Sequence, residues 1–198
     1  MQFPLHYPLT VSFKIIALAP QLSIVDAKGN LIVYVKQKLF KLKEAVTVFK
    51  DEQQSQPIFN LKADRVIDFS AQYHFTDREG KSVGSVKRQG MKSLWKAHYE
   101  ISGGQTGAMS IQEKNPWVKL MDGLLGEIPV IGILSAYLFH PVYAISRKDG
   151  QVVMKMKKQP AFFEGKFKID KTGEMVVDEE KRAVLSLIMM VLLERSRG

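Results

Sequence analysis

Between residues 9 and 114 short apolar-rich runs alternate with clusters of turn-forming residues. The runs are 9–18, 22–26, 31–40, 45–50, 57–62, 65–75, 82–89, 95–102 and 108–114, and they are rich in Val, Ile, Phe and Tyr, the residues that suit a pleated, half-buried surface. Between them lie Asp26–Asn30, Asp51–Gln56, Asp77–Gly80 and Ser102–Gly107, which are dense in Asp, Gly, Asn and Ser. Short strands separated by turns at this spacing predict an antiparallel barrel or sandwich. The glycines need no catalytic explanation, because turns require backbone conformations that glycine adopts freely.

The rhythm changes at Asn115-Pro116, a cap followed by proline at a first helical position. Trp117, Leu120, Met121, Leu124 and Leu125 then recur at helical spacing. A second apolar stretch, 128–139, is interrupted by Pro129 and Gly132 and is too short and too broken to span a bilayer. Residues 115–140 are therefore expected to form a helical insertion. After Pro141 the strand pattern returns in 142–146, 152–157 and 161–169, with Arg147–Gly150 and Lys158–Pro160 as turns.

The last run differs from all the others. From Ala183 to Leu193 only Ser186 is polar, so a helix over 178–195 has no polar face. A helix apolar all round belongs inside a protein core or a membrane. The apolar part rises only ~16 Å at ~1.5 Å per residue, against ~30 Å of bilayer hydrocarbon. Lys181 and Arg182 precede it, and Glu194, Arg195 and Arg197 follow. The core reading follows, with Val184, Leu185, Leu187, Ile188, Met189, Val191 and Leu192 as the structural core of the helix. Asp178 is expected to cap its start, with Glu179 and Glu180 in the first turn, where the helix dipole favours negative charge. The expected fold class is mainly β: one domain over 1–198, with a β-barrel of about twelve antiparallel strands enclosing the C-terminal helix. Closure removes the exposed edges of the sheet.

Composition narrows the function. The chain has 198 residues, 45% of them apolar, and no cysteine, which excludes disulfides and thiolate metal sites. No N-terminal signal stands out, since Ile15–Ala19 is short and bounded by Lys14 and Pro20. A cytoplasmic location is expected, with peripheral membrane association as an option. The net charge of +9 favours anionic partners.

The stretches 13–20 (FKIIALAP), 64–69 (DRVIDF), 73–76 (YHFT), 84–88 (GSVKR), 91–99 (MKSLWKAHY) and 115–119 (NPWVK) resemble the LURP-one-related family. That family is grouped with the phospholipid scramblases in the tubby C-terminal-like superfamily, and the resemblance runs from about Leu5 to Arg197. It implies a twelve-strand barrel around a buried C-terminal hydrophobic helix, the architecture already read from the runs and turns. The family pattern carries no catalytic signature.

Candidate chemistry is sparse. The histidines His6, His74, His98 and His140 lie in separate elements and form no close ligand pair. Asp64 and Asp68, four apart in an expected strand, could act as paired carboxylates, but pairing with Arg65, nearby lysines or turn amides explains them as well. No G-x-S-x-G, P-loop or G-x-G-x-x-G motif occurs. The resemblance to scramblases directs attention to Asp170–Glu180 as a calcium segment, yet its acids lack the spacing of a calcium loop, and a turn plus a helix cap accounts for them. An enzyme is not expected, nor a cofactor or metal.

The basic groups are the best lead. Lys36, Lys38, Lys41 and Lys43 form one cluster, and Lys87, Arg88, Lys92 and Lys96, beside Trp95, a second. Lys155, Lys157 and Lys158 form a third, and Lys166 with Lys168 a fourth. Residues two apart on a strand share a face. A solvated face that blocks edge pairing is the plain explanation. The functional one is an anionic-ligand site, with Lys87, Arg88, Lys92, Lys96, Lys36 and Lys38 as its candidate residues. The expected function is a non-enzymatic binding or scaffold module that recognises anionic phospholipid headgroups, phosphoinositides among them, at a membrane surface. The alternatives are a nucleic-acid-linked or transcription-associated regulatory module and a scramblase-like lipid-handling protein. Oligomeric state is not legible in the chain.

Overall fold

The computed structural model describes residues 1, 3–14, 20–36, 45–65, 71–89, 97–104, 107–114, 141–159 and 165–195. The elements are β1 (Leu9–Lys14), β2 (Gln21–Val25), β3 (Leu31–Lys36), β4 (Ala45–Phe49), β5 (Pro57–Ala63), β6 (Gln72–Asp77), β7 (Ser82–Arg88), β8 (His98–Ser102), β9 (Met109–Lys114), β10 (Val142–Arg147), β11 (Val152–Gln159), β12 (Gly165–Lys171) and α1 (Val177–Arg195). A strand appears within each predicted run, with β5, β6, β10, β11 and β12 reaching one or two residues beyond the expected ends. The expected helical insertion at 115–140 lies outside the described residues.

Each strand pairs antiparallel with its neighbours in sequence, and β1 pairs with β12 from Leu9↔Ile169 to Phe13↔Gly165, so twelve strands close into one barrel. Alternation decides which side each residue takes. In β1, Leu9, Val11 and Phe13 are buried while Thr10 and Ser12 are half-buried and Lys14 is exposed. The pairing register slips at Ile24/Val25, Val48/Phe49, Phe75/Thr76 and Ile145/Ser146. Such bulges bend and twist a strand, which a closed barrel requires.

The turns are held by aspartates, as their composition predicts. The Asp26 carboxylate accepts hydrogen bonds from the amides of Lys28 (2.9 Å) and Asn30 (2.8 Å). Asp51 accepts from Ser55 (3.0 Å) and Gln56 (2.9 Å), and Asp77 from Glu79 (3.0 Å) and Lys81 (2.9 Å). Each carboxylate satisfies amides that the tight reversal takes out of the strand ladder.

Helix α1 fills the barrel. Every residue from Ala183 to Leu192 is at most 3% exposed. An amphipathic helix on the outside of a sheet would keep one face wet; α1 keeps none. It packs most closely on β7 and β8. Burying each Leu, Ile, Val or Met of this run contributes about 1.5–3 kcal/mol relative to leaving it in water. The inward side chains of the strands, Val86, Tyr99, Ile101, Ile111 and Ile145 among them, complete one continuous core with it.

One expectation about the helix start changes. Asp178 is not the cap: α1 already begins at Val177, and Asp178 lies exposed in the first turn, paired to Lys181 at 3.2 Å. Arg182, which precedes the apolar run, is fully buried along with it. One turn of helix places Arg182 inside the barrel, where its long side chain needs a channel. Gly84 and Gly104 provide it by having no side chains of their own.

Candidate functional site

The charged residues at the two ends of α1 lock the helix to the wall. Near its start, the Glu179 carboxylate accepts hydrogen bonds from both Nε and Nη2 of Arg147 on β10, each at 2.7 Å. The same guanidinium also donates to the Glu174 carbonyl at 2.6 Å and to Gln151. The paired carboxylate raises the Arg147 pKa. Glu180, likewise buried, meets Lys171 of β12 at 3.2 Å, and the Lys171 ammonium stands 6.0 Å from the centre of the Tyr7 ring. Burial first, and the nearby Glu180 second, push the Tyr7 phenol up.

At the other end Glu194 lies 3.4 Å from Nε of Arg88 and accepts a hydrogen bond from the Tyr99 hydroxyl. The Arg88 guanidinium sits 5.9 Å from the centre of the Tyr99 ring. Burial, then Glu194, push the Tyr99 phenol up. Back near the helix start, Arg182, about one turn after Glu179, donates to the Gly103 carbonyl. Its burial pulls its pKa down, while Glu179 and Asp178 oppose the shift.

These contacts re-sort the predicted anionic-ligand residues. Lys87 and Arg88 are neighbours on β7 and so face opposite ways: Lys87 is exposed on the outside, whereas the Arg88 side chain is only 10% exposed and is tied to Glu194. Lys87 stands across from Gln72 on one side and Glu100 on the other. Lys36 is exposed at the end of β3. Lys38, Lys41, Lys43, Lys92, Trp95 and Lys96 lie outside the described residues. Lys87 and Arg88 therefore do not share a face.

The third and fourth clusters come together. β11 and β12 are neighbours, with Lys157 opposite Lys168, Lys155 opposite Asp170 and Gln159 opposite Lys166. Lys155, Lys157 and Lys166 are exposed and Lys168 is half-exposed. The row continues through Val142 on β10 to Lys114 on β9, which is exposed. On the other side, β1 brings Thr10 opposite Lys168 and Ser12 opposite Lys166, with exposed Lys14 two residues further along. Lys14 then connects through Gln21 to Lys36. Among the described outward residues of β10, β11, β12 and β1 the acid is Asp170, and it is paired with Lys168 at 3.1 Å. Lys158, by contrast, parts from its cluster and lines a small apolar depression of about 150 Å³ with Tyr143, Met156, Phe167 and Glu194.

The other candidate chemistry disperses. Asp64 lies past the end of β5 rather than in a strand, because the following strand starts only at Gln72. Its carboxylate accepts from the Gln72 amide at 3.0 Å and pairs with Arg65 at 3.5 Å. The Gln72 hydrogen bond, followed by Arg65, holds its pKa below the ordinary value. Asp68 is outside the described residues. His6 meets the Lys28 ammonium at 3.1 Å, His74 is exposed on β6, His98 is half-buried on β8, and His140 is outside the described residues. Among the described residues no group of three or more His, Asp and Glu could hold a metal ion. In the segment read for calcium, Asp170, Asp178, Glu179 and Glu180 each face a basic partner: Lys168, Lys181, Arg147 and Lys171. Among the described residues no helix is long and apolar enough to cross a membrane.

An X-ray structure of a protein from Arabidopsis thaliana is similar, with 13% identity, a TM-score of 0.49, and coverage of 98% of this chain and 94% of that chain. None of the curated proteins matches. The LURP-one-related family matches over residues 31–195, from the third strand through the end of the enclosed helix. With that match over most of its length, and with a closed barrel consistent with the wider tubby-like group, the chain belongs to the LURP-one-related family.

Proposed function

We propose that the protein is a non-enzymatic binding module for anionic phospholipid at a membrane surface. The observation that carries this reading is the outward lysine array on neighbouring strands: Lys155, Lys157, Lys166 and Lys168, extended by Lys114. Each basic side chain near an anionic bilayer contributes about 1 kcal/mol of attraction, so a handful on one face suffices for reversible adhesion. The described acids support a binding rather than a catalytic role. Glu179 and Glu180 of the helix are paired to Arg147 and Lys171, and Asp26 and Asp51 in the turns accept backbone amides.

The test is co-sedimentation with vesicles of phosphatidylcholine alone and with phosphatidylserine or a phosphoinositide added, at low and physiological salt. The expected result is binding only where acidic lipid is present, weakening as salt screens the charges. A chain that stays in the supernatant with every acidic vesicle at low salt ends this reading.

A further inference from the structure

Resting on that reading, we infer that the outer face of β11 and β12, not the predicted β7 face, is the membrane-docking surface, and that it senses the charge density of the bilayer rather than the shape of one headgroup.

The placement follows from register. Neighbouring strands lie about 4.8 Å apart and alternate residues on a strand about 6.7 Å apart. Lys157 opposite Lys168, with Lys155 and Lys166 each two residues away along their strands in opposite directions, therefore form a zigzag row in the order Lys155, Lys157, Lys168, Lys166. Each step along that row is shorter than the ~8 Å Debye length at physiological salt, so neighbouring potentials add along it. Like charges directly opposite each other weaken a sheet, and the Lys157–Lys168 pair is such a pair. Only Asp170, beside Lys168, offsets it. On β7 the arrangement is the reverse: Lys87 has Glu100 opposite it and Arg88 is turned to the helix.

The choice of ligand follows from the chemistry between the charges. The outward neighbours of the lysines are Thr10, Ser12, Val142 and Gln159 on a barrel wall, with no arginine among them. Lysine is a compact point charge, while bidentate recognition of a particular phosphate is arginine's strength. No aromatic stands among these outward residues to stack on a base, which disfavours single-stranded nucleic acid. A surface of point charges without a cradle responds to how many negative charges it faces.

The experiment uses the full chain and the quadruple variant K155Q/K157Q/K166Q/K168Q, with K87Q as the comparison. Circular dichroism and a thermal melt confirm that both variants remain folded. Vesicles carry phosphatidylserine or phosphatidylinositol 4,5-bisphosphate, adjusted to the same surface potential, and a duplex oligonucleotide is titrated in parallel. The expected result is equal binding to the two vesicle types, a loss on the order of 10²–10³-fold in the quadruple variant, and a less than threefold change in K87Q. If the parent binds acidic vesicles and the quadruple variant binds them equally well, the surface lies elsewhere, although the binding-module reading survives. Preference above tenfold for the phosphoinositide at matched potential overturns the charge-density inference. Binding to the oligonucleotide but to no vesicle overturns both.

Discussion

Arg182 and Gly84 pass so closely that a Cβ on Gly84 would lie 2.5 Å from the arginine's Cδ and 2.6 Å from the Ser102 carbonyl oxygen. Gly84 also has φ +144°, a conformation that side chains rarely adopt. The strand and the buried arginine are thus mutually dependent. Gly84→Ala should cost about 2–5 kcal/mol, from overpacking and backbone strain together. Urea unfolding would show this as a lower midpoint at unchanged slope. An unchanged midpoint would mean that Arg182 does not occupy this channel.

The Arg147–Glu179 pair makes a second stability prediction. Glu179 is 3% exposed, so removing its partner leaves a carboxylate stranded in the barrel. Arg147→Met should destabilise the protein by about 3–5 kcal/mol. The double variant R147M/E179L should recover much of that, because the stranded charge is gone. A double-mutant cycle with no coupling between the two positions would contradict a direct pair.

Ser186 predicts a gain. It is fully buried in the apolar run of α1, and its hydroxyl has no hydrogen-bond partner among the described residues. Ser186→Ala removes the desolvated hydroxyl at almost no loss of packing and should stabilise the fold by ~1 kcal/mol. The melting temperature should rise by roughly 2–4 °C. A fall would show that the hydroxyl is satisfied in solution.

Alkaline pH tests the tyrosines. Tyr7 and Tyr99 are both held above the ordinary value of 10.0, chiefly by burial, with Glu180 and Glu194 adding to it. In the unfolded chain each phenol ionises near pH ~10; in the barrel it keeps its proton. Their contribution is complete below that pH and is lost as pH rises past it, because the unfolded state then binds fewer protons than the folded one. The expected slope is about 1.4 kcal/mol per pH unit for each tyrosine. Stability measured from pH 9 to ~11.5 should fall less steeply in Tyr7→Phe and in Tyr99→Phe. A slope identical to the parent's in both would refute the assignment.

The fold was open to reading because its determinants are local. Alternation within β1 places Leu9, Val11 and Phe13 inside whichever strands lie alongside. Asp26, Asp51 and Asp77 build their turns from amides a few residues away. A helix with no polar face, Ala183–Leu192, admits only an enclosed position, and the twelve-strand barrel encloses it.

The roles of the charges were not open to the same reading, because they depend on contacts between residues far apart in the chain. Lys87 and Arg88 look like one cluster, but the period of two in a strand sends them to opposite faces, and Arg88 meets Glu194 only because the helix threads the barrel. Arg182 merely precedes the apolar run in sequence, and it is buried because Gly84 and Gly104 leave it a channel. Lys157 and Lys168 come to face each other through the β11–β12 register, while closure of β12 on β1 sets Thr10 and Ser12 beside the lysines. The sequence alone determined which segments form strands and which helix is enclosed, since side-chain period and hydrophobicity act within a few residues. Only the tertiary structure decided which charges lock the helix and which face the solvent together, since register and barrel closure set those neighbours.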